Sequence, residues 1–335
     1  MNNAVKKYAA IGLVSLFGFS IPSHAATGAA PTNQTQRMTP EQQLAYTAQN
    51  KNESIEKRAD ALRQLARYPN QNSLVAVARG LKESSAVIRE AAIVGSDLYQ
   101  FEHRWRMLSP VLDDPEASVR MAATANLLRD YSSMNTEQKK QIEAPYKALV
   151  RYLKTQSDSN SQLLLADIYR WHGEWANADV IYQTLVKNEP KNSQVWLNLS
   201  DNYRAQSQDA EALIILDKGI KELPKEASLY YSKALTQVRL NQKNNAAKSI
   251  KMATTLAENN SYYWYLNGVL HEDIDLSVAT KSFEKAYLIS GSPEQLYALC
   301  DIYIRYGNEK GDECLEALSK VAPEYVIKQL KEKRK

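Results

Sequence analysis

Large apolar side chains recur at helical spacing along residues 159–323, and the whole pattern then repeats. In the stretch "NSQVWLNLSDNYRAQSQDAEALIILDKGIKELP", let Trp196 be position 4 of a unit. Leu199, Ser200, Tyr203, Ala212, Leu216, Gly219 and Pro224 then take positions 7, 8, 11, 20, 24, 27 and 32. Thirty-four residues earlier, Leu165, Ala166, Tyr169, Gly173, Ala178, Tyr182, Leu185 and Pro190 fall at 7, 8, 11, 15, 20, 24, 27 and 32. Thirty-four residues later come Tyr230, Ala234, Ala246, Ile250 and Ala253. A fourth unit has Trp264 and Gly268 in register, with Ala279, Phe283 and Ala286 one residue early. A fifth has Leu299, Cys300 and Tyr303. The apolar spacing predicts two helices per unit. Small residues at 8 and 20 let the two backbones approach, large ones at 4, 7, 11 and 24 fill the gaps, and proline at 32 ends the second helix.

On these residues the stretch closely resembles the tetratricopeptide repeat. The resemblance implies that Trp196 is core rather than pocket, and that first helices line an inner groove through positions 2, 5, 9, 12 and 13. Those positions are Asp167, Arg170 and Trp171 in the first unit, then Gln194, Asp201 and Arg204 in the second. The third has Tyr231 and Arg239; the fourth has Tyr262, Tyr265, Glu272 and Asp273; the fifth has Tyr297, Asp301 and Arg305. Tyrosine and arginine carry much of the binding energy at interfaces. The family's chaperone-binding subtype grips a C-terminal carboxylate with Lys and Asn, but positions 5 and 9 here are Leu163, Asp167, Leu197 and Asp201, so that clamp is absent.

The preceding segment has another period. Arg58, Arg89 and Arg120 are spaced by 31 residues in "SIEKRADAL", "AVIREAAIV" and "ASVRMAATA". The third copy, with Asp114-Pro115, Val119-Arg120, Ala122-Ala123 and Leu127, resembles a short bacterial HEAT repeat; the second resembles it less and the first least. Asp114-Pro115 reads as a helix start, a capping acid followed by proline. The arginines are expected to ladder onto acids or carbonyls of neighbouring units rather than to hold a ligand. Residues 131–158 read as junction helices, with one helix interrupted or started at Pro145. The predicted fold is all-α: a continuous right-handed α-solenoid with HEAT-like hairpins over 41–130, about five tetratricopeptide hairpins over 159–323 and a basic tail over 324–335.

The start of the chain is a separate matter. "MNNAVKK", the apolar run "YAAIGLVSLFGFSI" and "PSHA" make a secretory signal over 1–25, with cleavage near Ala25. The run is too short for a confident membrane span, and no cysteine marks a lipid anchor. Residues 26–40 read as a disordered linker. Losing Lys6 and Lys7 takes the formal charge from +4 to +2. A near-neutral body argues against nucleic acid as partner. "KQLKEKRK" reads as a solvated helix end.

Cys300 and Cys314 take positions 8 and 20 of the fifth unit, across a loop about two residues longer than usual. Facing positions in an exported chain predict a structural disulfide rather than two buried thiols or a redox pair. His103, His172 and His271 lie in different repeats, and no metal, haem, phosphate-loop or nucleophile motif occurs. The chain is therefore expected to be no enzyme and to need no cofactor. It reads as a periplasmic or secreted scaffold that holds a protein or peptide in its groove; its oligomeric state is left open. Two other readings stand. HEAT units before tetratricopeptide units resemble part of some periplasmic multihaem cytochromes, which implies a haemless accessory or assembly factor. "YYWY" at 262–265 would suit a module that binds cell-wall glycan.

Overall fold

A computed structural model of the chain describes residues 38–334. The expected signal, and the expected linker up to residue 37, lie outside the described residues. Helix begins at Pro40, so the end of the proposed linker is already ordered as α1 (Pro40–Gln49). Then come α2 (Ile55–Leu65), α3 (Gln71–Gly80), α4 (Ala86–Gly95), α5 (Phe101–Leu108), a 3₁₀ turn (Ser109–Asp113), α6 (Ala117–Leu128), a second 3₁₀ turn (Tyr131–Ser133) and α7 (Thr136–Leu153). Five helical hairpins follow: α8 (Ser159–His172) with α9 (Trp175–Asn188), α10 (Ser193–Ala205) with α11 (Asp209–Glu222), α12 (Ala227–Arg239) with α13 (Lys243–Leu256), α14 (Ser261–His271) with α15 (Leu276–Ser290), and α16 (Pro293–Arg305) with α17 (Gly311–Ser319). A last helix, α18, spans Glu324–Lys331. No strand occurs among the described residues.

In the first half α2, α4 and α6 lie side by side, with α1 and α3 in the second layer. The arginines stitch this stack. Arg58 reaches the Glu83 carboxylate (2.6 Å) and the Ala48 carbonyl (3.1 Å). Arg89 grips both oxygens of Asp114 (2.7 and 2.8 Å) and the carbonyls of Glu83 and Ser84 (both 2.8 Å). Arg120 donates to the carbonyls of Asp114 and Pro115 (2.6 and 2.9 Å). Arg58 and Arg89 thus join each unit to the next, as expected of a ladder. Asp114 corrects one expectation. It is not the cap residue of α6, which starts at Ala117 behind Glu116; it lies two residues before that cap, where its carboxylate both bridges to Arg89 and takes the Glu116 amide (2.9 Å). Close packing leaves no room at Gly95, where a Cβ would stand 2.7 Å from the Leu62 carbonyl oxygen.

The junction is one helix. Pro145 lies inside α7 and neither starts nor breaks it, since Asn135 and Gln138 form a full capping box and the helix is held on both flanks by α6 and α8. The His172 ring stacks on Tyr146 (3.8 Å, 8° between planes) and meets Tyr131 at 4.5 Å, while its Nε2 lies 3.3 Å from Glu143. One apolar core accordingly runs unbroken from Ala45 to Leu229.

In the second half the helix starts repeat at 159, 193, 227 and 261. A side chain at position 4 sets this register. Gln162, Trp196, Tyr230 and Trp264 each donate to the backbone carbonyl six residues earlier, of Gln156, Pro190, Pro224 and Glu258 (2.5, 2.9, 3.1 and 2.8 Å). Proline at 32 proves dispensable: α13 ends in the same register with Glu258 there, and the C-caps Glu189, Leu223 and Ala257 share one backbone conformation. The turn inside the hairpin needs a left-handed residue at position 15, supplied by Gly173, Ser207, Asn241 and Gly307 (φ 94°, 59°, 59° and 65°). The one-residue deletion in the fourth unit falls in this turn, where Asp275 at φ −151° caps α15 directly. The fifth turn is longer, α17 starting only at Gly311, and Cys300 and Cys314 are joined across it with their Cα atoms 5.4 Å apart.

The 324–335 segment differs from expectation. It is not solvated all round: α18 buries Val326, Ile327 and Leu330 against α16 and α17, covering the apolar flank that the last described hairpin would otherwise expose. No helix among the described residues is long and apolar enough to cross a membrane.

Two outcomes test this architecture. Arg89→Ala strands a largely buried carboxylate and should cost about 3–5 kcal/mol in urea unfolding, far more than the paired change with Asp114→Ala. Burial works to raise the Asp114 carboxyl, but the Arg89 and Glu116 hydrogen bonds and the Arg89 charge hold it below its ordinary 3.8. A depressed carboxyl contributes stability above its unfolded value and loses it as pH falls through the folded one. Unfolding curves collected below pH 3.8 should therefore decline less steeply for Asp114→Asn than for wild type. Replacing Cys300 and Cys314 by alanine, which opens a loop with a sequence separation of 14, should cost about 3 kcal/mol on the chain-entropy account. Hydrogen exchange would show that loss concentrated in α16–α18.

Candidate functional site

First helices of neighbouring units rest on one another, α8 on α10 and α10 on α12, while second helices make no comparable contact. Closer approach on that side puts the first helices on the inside of the curve. Their outward positions carry the expected residues, and the structure sorts these into three groups.

The first group is a polar knot between units 1 and 2. Asp167 accepts from Tyr182 Oη (2.5 Å), from Asn198 Nδ2 at both oxygens (2.9 and 3.0 Å) and from Arg170 (3.2 Å). Arg170 also donates to Tyr182 Oη (3.2 Å) and lies over the Trp171 ring at 5.7 Å. Gln194 donates to Asn198 (2.6 Å). Burial raises the Asp167 carboxyl despite the opposing Arg170 charge and Tyr182 hydrogen bond. Asp201 and Arg204 pair with each other one unit on. These charges bind one another, so the arrangement stiffens the entrance of the face.

The second group is aromatic. Tyr231 stacks on Tyr263 (5.0 Å) and meets Tyr262 edge-on (6.0 Å); Tyr262 stacks on Tyr265 (6.2 Å), which packs on Phe283 (5.7 Å). Beneath this row the interior mixes buried Ile250, Leu266 and Leu270 with two buried polar pairs: Ser249 donates to Gln237 (2.7 Å) and Asn267 to Ser282 (2.8 Å). "YYWY" is no four-ring platform. Trp264 turns its indole N–H to the Glu258 carbonyl, because its position-4 role claims it.

The third group closes the array. Arg305 bridges Asp301 and Glu272 (both 2.6 Å), Lys333 reaches Asp301 (2.7 Å) and Tyr297 Oη (3.3 Å), and Asp273 lies 3.6 Å from Lys243. Arg239 pairs with Asp209 (2.5 Å) at the edge. Among the described residues no group of three or more His, Cys, Asp or Glu could hold a metal ion.

No protein-family model matches the chain, and no curated protein matches its sequence. Solved structures similar to part of it include a crystal structure of MamA, 20% identical over 50% of this chain and 95% of that one, TM-score 0.41. YrrB, described as a TPR protein with an unusual peptide-binding site, is 18% identical over 56% and 97%, TM-score 0.43. PilF from Pseudomonas aeruginosa is 13% identical over 65% and 99%, TM-score 0.43. Four hairpins start 34 residues apart and the fifth 32 residues on, and this register, not the partial superpositions, makes residues 159–319 an α-helical array with tetratricopeptide-like spacing.

Within this array, residues outside the expected set also shape the face. Asn198 and Tyr263 carry no repeat signal, since positions 6 and 3 vary from unit to unit. Lys333 belongs to the basic run, whose composition says nothing about where it folds. Tyr182 was visible as a core position, and its hydroxyl turns out to serve Asp167.

Burial, then neighbouring tyrosines, pushes the Tyr231 hydroxyl well above its ordinary value of 10, and burial with the Asp167 charge does the same to Tyr182. A hydroxyl raised on folding contributes stability that is complete below pH 10 and is lost as pH climbs through the folded value. Thermal melts should thus fall above pH 10, and Tyr182→Phe with Tyr231→Phe should flatten that alkaline limb.

Proposed function

We propose that the chain is an exported, non-enzymatic scaffold whose tetratricopeptide face holds an extended segment or helix of a protein partner. The observation that carries this reading is the aromatic row Tyr231, Tyr262, Tyr265 on the inner helices. Tyr262 is exposed to 41% although its neighbours are packed, which offers ring surface at low entropic cost. The charged residues along the face pair with one another, so contact energy concentrates in the tyrosine rings of units 3 and 4. The disulfide and the signal-like start support an oxidising, exported setting. Domain limits of 41–130, 131–158 and 159–323 serve this reading as one binding body with a stiff first half.

The test is a crosslinking pull-down from the native envelope with wild type, the face variant Tyr231→Ala/Tyr262→Ala and the outer-face control Val180→Ala/Ile214→Ala. A protein recovered by wild type and control but reduced about 30-fold with the face variant, the effect of about 2 kcal/mol at a hot spot, fits the scaffold. Equal recovery by all three would sink the assignment of the face.

A further inference from the structure

The aromatic row does not stop at Tyr265. On the next first helix, α16, lie Tyr297 and, four residues on, Asp301. Into this corner folds a residue from beyond α18. Lys333 Nζ stands 2.7 Å from Asp301 Oδ1, 3.3 Å from Tyr297 Oη and 5.7 Å from the centre of the Tyr297 ring. A carboxylate and a phenol oxygen converge on one ammonium, two acceptors suited to a primary amine. Asp301 is itself fixed by Arg305, which is anchored on Glu272. The corner is therefore braced by residues other than its occupant. The occupant is loosely tethered by comparison: the Lys333 side chain is 42% exposed and lies past the last turn of α18, whose grip on the array comes from Val326, Ile327 and Leu330. Burial works to lower the Lys333 ammonium, and the Asp301 hydrogen bond and charge more than offset it, so the amine is charged in place.

We propose that Tyr297 and Asp301 form a subsite for a lysine side chain of the partner segment, and that Lys333 fills it in cis until the partner displaces it. This rests on the interaction face proposed above and adds a chemical requirement: the partner carries a lysine next to the residues that meet the tyrosine row. An intramolecular amine also sets a threshold. If the corner is open for one tenth of the time, an external lysine binds ten times more weakly than to an empty corner.

The experiment uses the full chain and a defined probe, acetyl-Gly-Lys-Gly-amide, with acetyl-Gly-Leu-Gly-amide as control. Binding is read from the ring resonances of Tyr297 in protein labelled on tyrosine, assigned with Tyr297→Phe. Lys333→Ala should bind the lysyl probe about tenfold more tightly than wild type, and adding Asp301→Asn should abolish that gain. Tyr297→Leu in the Lys333→Ala background, read on the Tyr265 ring, gives a second variant should Asp301→Asn disturb the Arg305 pair. Unchanged melting of Lys333→Ala would confirm that the array stays folded. Equal affinity in wild type and Lys333→Ala overturns the displacement; shifts of equal size from the leucyl control, or none from either probe in Lys333→Ala, overturn the subsite. These failures are separable from failure of the face itself. A flat titration leaves the pull-down result standing, and a pull-down indifferent to Tyr231 and Tyr262 leaves a positive titration standing.

Discussion

Each of the first four hairpins of the second half is tied to the loop before it by a hydrogen bond from the side chain at position 4 to the carbonyl six residues back. The bond satisfies a carbonyl that the finished helix has left without a partner. It also fixes where the next helix starts, and hence which residues face inward. Three of the four donors, Trp196, Tyr230 and Trp264, carry a large ring with a polar edge, so one side chain fills the interhelical gap and orients the loop. The first half solves the same problem with charge. Arg58 and Arg89 each run from the start of one inner helix to an acid at the start of the next. A solenoid has only nearest-neighbour contacts, so its order is the sum of such local ties.

Position-4 ties leave the face itself free to vary, and the chain uses that freedom unevenly. Between units 1 and 2, Asp167 is consumed by Tyr182, Asn198 and Arg170, which leaves little directed hydrogen bonding for a partner. Between units 3 and 4 the interior mixes Ile250, Leu266 and Leu270 with alanines and with the polar pairs Ser249–Gln237 and Asn267–Ser282. Tyrosines from two adjacent helices cover this joint. Contact area for a partner is thus concentrated in the tyrosines over this joint. At the far end Lys333 shows how the same face accommodates a basic side chain.

Much of the fold was legible in the residues. A 34-residue period in small and large side chains placed four of the hairpin starts, and Cys300 placed the fifth at Pro293. The facing positions of Cys300 and Cys314 were readable from the same register. Pro224 and Asp114-Pro115 were weaker guides. A proline is one sufficient way to stop a helix, and position 4 provides another; Asp114 serves the Glu116 amide and the Arg89 guanidinium together, and its second role has no signature in the residues beside it.

By itself, then, the sequence determined the all-helical class, the period, the first-helix face and the tyrosine content of that face. These follow from local spacing along one helix and repeat from unit to unit. Only the tertiary structure decided which charges are spent and which surfaces stay open. Asp167 with Asn198, Arg89 with Asp114 and Asp301 with Lys333 lie 31, 25 and 32 residues apart. A side chain's partner depends on where a neighbouring unit brings its own polar groups, which the period of the arginines suggests but does not specify. The amphipathic spacing of Val326, Ile327 and Leu330 permits a buried helix face. Burial itself required the uncovered flank of the last hairpin, which exists only once the array has folded.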